Sequence, residues 1–199
     1  MALMTLVSAR GDIAKDRFHE AREAFVERKK LKSPLSDIDL KTAIEIQDLL
    51  MLDVAAEFGS TAGYFQALTP GGRPLLGVLL ENMFTSTGAT VVASNSADLQ
   101  LAPAWVLRLG SINSTTVSQA SEVDDLASIT SELIPAVLIR DDLMGEPNSE
   151  AITSQTAVNL GIRYVVMGHP ISLSGHGGLQ AVSGTLNATL LDSDGVTLS

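Results

Sequence analysis

The segment from Ser36 to Phe58 constrains this chain more than any other. Leu40, Ala43, Ile44, Leu50, Met51, Val54 and Phe58 recur at three- and four-residue spacing, and Ile46, Leu49 and Leu52 widen the stripe. A helix that is apolar around so much of its circumference must be covered from more than one side. The rest of the chain therefore has to bring other elements to it. Ser36, with Asp39 three residues on, makes a capping-box-like start. Residues 12–31 read as a charged amphipathic helix, with Ala14, Phe18, Ala21 and Phe25 on one face and Asp12 as its cap. Ser33-Pro34 ends it, because the residue before proline is pushed out of the helical region. The two segments predict an N-terminal helical hairpin over 1–58. Met1 to Ala9 is a short apolar stretch that reads as the stump of a signal peptide or a plain first strand.

Residues 59–199 predict an α/β or α+β domain, a small mixed sheet with packed helices. Gly59 to Gly72 reads as a loop, and Pro74 opens a third helix through Phe84. Thr90–Ser94, Trp105–Leu109 and Leu133–Ile139 read as strands, with a weak helix over Ser118–Ser131 and an acidic turn at Asp141-Asp142. Asn148 or Ser149 caps a helix that runs to Leu160, where Gly161 stops it. Ile162–Met167 is a continuous apolar strand. A Gly-rich loop at Ser174–Gly178, a long strand at Leu179–Leu191, a turn at Asp194-Gly195 and a returning strand at Val196–Ser199 complete the pattern.

Charge narrows the function classes. The net charge is −10, and no lysine follows Lys41. A nucleic-acid partner needs a basic stripe to displace counterions, and the only basic cluster, Arg28, Lys29, Lys30 and Lys32, sits where cations suit a helix C-terminus. No nucleic-acid partner is expected, and no direct membrane insertion, since no segment is long and apolar enough to span. The chain has no cysteine, which removes disulfides, thiolate metal sites and a cysteine nucleophile.

Candidate chemistry is sparse. His169 and His176 flank a loop, and Asp141, Asp142 or Glu146 could supply a third metal ligand if the fold brings one close; the spacing matches no metal motif. Gly71-Gly72-Arg73-Pro74 before a helix suits an anion but lacks the phosphate-loop lysine. Asp124-Asp125 and Asp141-Asp142 are adjacent carboxylates that point different ways, so neither makes an acid/base couple. Arg10-Gly11-Asp12 and the sequons at Asn113 and Asn187 are short enough to arise by chance. No catalytic, cofactor or metal residue is assigned, and no cofactor is expected.

Residues 151–199 run through an alanine-rich helix, Gly161, Tyr164, an apolar strand, Gly168, a loop, a long strand, Leu190-Leu191-Asp192 and Asp194-Gly195-Val196. This order resembles the CsgG-like and TolB N-terminal-like domains of bacterial envelope machines. The resemblance implies a non-catalytic structural or interaction subunit of a secretion or flagellar assembly, periplasmic or envelope-associated; without it the chain is expected in the cytoplasm. Self-association or a protein partner is expected, through Leu40–Phe58 and the terminal strand. Two alternatives stand beside it. One is a hydrolase with a loop site near Asp141 and His169; the other is a capsid or tail subunit of a virion.

Overall fold

The computed structural model describes residues 2–69, 71–91, 98–110, 129–144 and 151–173, with side chains from 15 onward in the first helix and from 152 onward in the last. Helix α1 spans Ala2–Glu27 and α2 spans Leu40–Phe58. Ala2 to Ala9 belongs to the first helix and is not a strand. Asp12, expected as the cap of that helix, lies inside it. The cap of α2 is Asp39, whose side chain accepts from Thr42 N at 2.8 Å; Ser36 lies outside the helix.

α1 stops at Glu27, short of the end that the apolar spacing predicts. Arg28 adopts a left-handed conformation (φ 56°) and closes a paired C-terminal turn. Lys29 N donates to Ala24 O at 3.0 Å and Arg28 N to Phe25 O at 3.4 Å. This is the Schellman arrangement, with an arginine where glycine is usual.

The largest departure lies between 59 and 86. Thr61–Leu68 is strand β1, not loop, and Pro74–Leu80 is strand β2, not helix. A 3-10 turn at Glu81–Met83 leads into β3, Phe84–Ser86. A short apolar run such as Pro-Leu-Leu-Gly-Val-Leu-Leu has no periodicity to separate helix from strand. Most of it is covered, so Leu75, Gly77, Val78, Leu79 and Leu80 are buried while Pro74 and Leu76 are exposed. β1 and β2 pair antiparallel, with Tyr64 opposite Val78 and Gln66 opposite Leu76. The turn is closed by Thr69 N to Arg73 O at 2.9 Å, with Gly72 at φ 74°.

Strands β4 (Leu99–Leu109), β5 (Thr130–Asp141), β6 (Ile162–Met167) and β7 (Ile171–Ser172) build a second sheet in the order β3-β6-β5-β4, with β7 antiparallel to β5. The expected strands at Trp105–Leu109 and Leu133–Ile139 are parts of β4 and β5, and Ile162–Met167 is β6 itself. Helix α3 covers Ala151–Ala157 and runs into a 3-10 turn at Asn159–Gly161. The architecture is therefore mixed α+β, two helices followed by a multi-strand sheet, as the sequence predicts. Thr130 and Ser131, assigned to a weak helix, belong to β5, and Thr90 and Val91 are not in a strand. Residues 92–94, 118–128 and everything from Ser174 lie outside the described residues, as do the expected caps Asn148 and Ser149.

The chain divides into two compact units. The first, residues 1–84, 90–100 and 139–164, holds a core of α1, α2, β2 and α3 residues: Phe25, Ile46, Leu50, Val54, Val78, Leu80 and Ala157, with Leu35 and Leu143 from connecting segments. The second, residues 85–89, 101–138 and 165–199, buries Leu133, Ile134, Leu138, Val165 and Leu173 among its described residues, and there Arg108 pairs with Glu132 at 2.5 Å.

Candidate functional site

Polar groups buried in the first unit fall into two clusters. One fixes the hairpin. Asn159, fully buried, accepts from Val78 N at 2.7 Å and Gln47 Nε2 at 2.9 Å, and donates to Val78 O at 2.9 Å. Gln47 also donates to Leu76 O at 2.8 Å. One amide therefore joins α2, β2 and the turn after α3. To aim it there the backbone takes three successive left-handed residues, Asn159, Leu160 and Gly161 (φ 50°, 56° and 66°). At Gly161 a Cβ would fall 2.0 Å from Asp141 O, so the position excludes any side chain.

The other cluster is ionic. Asp141, at the end of β5, has no side-chain exposure. Arg28 approaches it in a fork, Nε to Oδ2 at 2.9 Å and Nη2 to Oδ1 at 3.1 Å. Arg163 Nε, from β6, reaches Oδ2 at 2.8 Å. Arg163 also donates from Nη2 to Phe25 O, and its guanidinium lies 4.0 Å from the Phe25 ring centroid. The bond to Asp141 raises the Arg28 pKa above its ordinary value. Burial lowers that of Arg163, against the opposing pull of the same carboxylate. Two guanidinium groups thus share one carboxylate, with Arg28 at the carbonyl end of α1.

A cleft of about 180 Å³ opens beside this cluster. Arg28, Arg163 and Tyr164 supply its polar wall with Glu57, and Phe25, Val54 and Phe58 its apolar one. A wider cleft of about 470 Å³ lies between α2 and β1, with Asp48, Ser60, Thr61 and Tyr64 as polar groups and Met51, Leu52 and Val78 as apolar ones. The first matches the chemistry of an anion with an apolar stem. The second is mostly an apolar groove.

The candidates named from the sequence take other places in the structure. Asp141 is an internal counter-ion, and His169 is exposed after β6, in the other unit. Asp142 accepts from Met144 N at 3.0 Å in a tight turn. Gly71-Gly72-Arg73 forms the β1–β2 turn, so no helix N-terminus exists there to hold an anion. Arg10-Gly11-Asp12 lies inside α1. His176, Glu146, Asp124-Asp125, Asn113 and Asn187 lie outside the described residues. No group of three His, Asp or Glu side chains converges to hold a metal among the described residues. Sequence reasoning singles out neither Arg163 nor Asn159, takes Tyr164 only as part of a family pattern, and takes Arg28 only as a helix-end cation. Arg163 carries a signal all the same: an arginine inside an apolar strand needs a buried partner.

No known family's sequence profile matches this chain, and no curated protein matches it. Solved structures do. The fold is similar to 4-oxalocrotonate decarboxylase from Pseudomonas putida G7 complexed with calcium and acetate, at 16% identity and a TM-score of 0.65 over 82% of this chain and 64% of that one. It is equally similar to the same enzyme complexed with magnesium and adipate, at 13% identity and 0.66, over 82% and 65%. The chain thus spans just under two thirds of the length of those structures. At such identity the likeness is one of fold. It corrects the envelope reading: the fold is one in which a decarboxylase is built, not the CsgG-like or TolB-like layer. The expectations of a non-catalytic structural subunit, of a cell-envelope or periplasmic place, and of a chain that is no enzyme fall with it. No helix among the described residues is long and apolar enough to cross a membrane.

Proposed function

We propose that this chain is an enzyme of the lyase type acting on a small carboxylic acid. The observation that carries the reading is the fold shared with a decarboxylase over 82% of the chain. Cytoplasmic residence belongs to the same proposal. The similar solved structures are complexed with calcium or magnesium and a carboxylate. Among the described residues no donor set converges to fit such an ion, so no step here runs through one.

The cleft beside Arg28, Arg163 and Tyr164 is where the first unit offers a carboxylate charge-assisted hydrogen bonds. Loss of carbon dioxide leaves an electron pair that must come to rest on an oxygen of the product before carbon is protonated. Donors aimed at that oxygen stabilise the charge as it develops, and the Tyr164 phenol is the neutral donor of this cleft. Phe25, Val54 and Phe58 keep the stem of the acid dry. The enzymatic alternative drawn from the sequence is thus the better supported one, with Asp141 serving to hold two arginines. The test is release of carbon dioxide from 4-oxalocrotonate by the purified chain, with adipate binding followed by calorimetry. Turnover, and weaker adipate binding in Tyr164→Phe, support the reading. Absence of both turnover and adipate binding overturns it.

Self-association is a second reading, favoured by one surface. Leu40, Ile44 and Leu52 of α2 are 47%, 44% and 73% exposed. Tyr64 and Leu76, which share one face of the hairpin, are 69% and 53% exposed. Clustered apolar exposure of this kind marks contact surfaces. Light scattering of the chain and of Leu52→Lys tests it: a multimer that Leu52→Lys dissociates supports it, and a monomer in both removes it. The division into a helical hairpin (1–58) and an α/β domain (59–199) is likewise a proposal, tested by whether limited proteolysis cuts near Gly59.

A further inference from the structure

We infer that the described residues of this chain meet the carboxylate ligand with arginine and tyrosine side chains and form no divalent-cation site. The inference rests on the small-carboxylate reading above and concerns the chemistry of that site.

Calcium takes six to eight oxygen ligands, and magnesium needs a near-octahedral oxygen shell with at least one or two carboxylates. The described strands of the larger sheet supply almost none. β3, β4, β6 and β7 contain no Asp, Glu or His. β5 contains two carboxylates, Glu132 and Asp141. Nine residues of extended strand place them about 30 Å apart at ~3.3 Å per residue, too far to share an ion. Each is already held by arginine, Glu132 by Arg108 and Asp141 by both Arg28 and Arg163. Moving Asp141 to a metal would leave Arg163, 5% exposed, without its counter-charge.

Several other carboxylates of the first unit are engaged by donors of the protein itself. Asp39 and Glu81 accept from backbone amides, and Glu20, Asp37 and Asp53 pair with arginines. The orphaned atom points the same way. Among the described residues, the buried side-chain polar atom without a partner is a donor, Arg140 Nε. That atom calls for an acceptor, not a cation. An anionic ligand suits that demand, and a bare cation opposes it.

The experiment is calorimetric, on the full chain after dialysis against EDTA. Magnesium chloride alone and calcium chloride alone are titrated first, with Tm followed in parallel. Adipate is then titrated in EDTA and in excess magnesium. The expected result is no saturable heat and no Tm shift from either metal, and adipate affinities that agree within about twofold. A saturable metal site of stoichiometric occupancy overturns the inference, as does an adipate affinity that rises about tenfold or more with magnesium. Failure of adipate to bind in either buffer sinks the carboxylate reading instead, and the metal-alone titration still decides the question of the cation.

Discussion

Replacing Asp141 by Asn removes the charge at the centre of the first unit while keeping its shape. Three facts set the magnitude. Asp141 has 0% side-chain exposure, Arg163 has 5% and Arg28 has 19%. Arg28 can turn toward water. Arg163 cannot, and it is left with the Phe25 carbonyl and ring. Removing one partner of a buried pair costs about 4 kcal/mol, because the other charge stays behind uncompensated. With an m-value of about 2 kcal/mol/M, the urea midpoint falls by ~2 M. Far-UV circular dichroism reads it well, since α1, α2 and α3 all belong to this unit. A loss below about 1 kcal/mol, the range of exposed ion pairs, would refute the argument. The double replacement Asp141→Leu with Arg163→Met is the complementary arm. It removes the stranded charge together with its partner, so it is expected to be more stable than Asp141→Asn.

Gly161→Ala places a methyl 2.0 Å from Asp141 O at φ 66°; strain at both points predicts a Tm drop of about 6–12 °C in a thermal melt, from a loss of about 3 kcal/mol. Asn159→Ala strands the buried amide and carbonyl of Val78 and takes from Gln47 one of its two acceptors. At about 1–3 kcal/mol for each unsatisfied buried group, a loss of about 3 kcal/mol or more is expected in urea titration, with faster hydrogen exchange at Val78. Arg28→Gly separates two opposed effects. Glycine relieves the left-handed strain by about 1 kcal/mol, but the fork to Asp141 is lost, so the expected net change in the urea midpoint is destabilising. A stabilised variant would show that the ion pair contributes less than the strain.

The existence of α2, its end at Phe58 and the identity of β6 are legible in the amino-acid order because they are signals of local period or composition, while its start falls at Leu40 and not at Ser36. A stripe as wide as Leu40 to Phe58 has one regular solution, and the short apolar run that follows the helix-stopping Gly161 has another. β1 and β2 are not legible. Thr-Ala-Gly-Tyr-Phe-Gln-Ala-Leu and Pro-Leu-Leu-Gly-Val-Leu-Leu become strands because each provides the other's ladder and because α2 packs against β2. Neither condition is written in a window of seven or eight residues. The ionic cluster is half legible. An arginine between Ile162 and Tyr164 demands a counter-charge, while nothing in the order of residues says that Asp141 supplies it or that Arg28 joins from 113 positions away. What the sequence by itself determined is the helical beginning, the mixed α+β class, and an acidity that disfavours nucleic acid. The tertiary structure decided which carboxylates remain for chemistry, because a carboxylate's role depends on which cations the fold brings within about 3 Å of it, and that is a property of distant segments meeting.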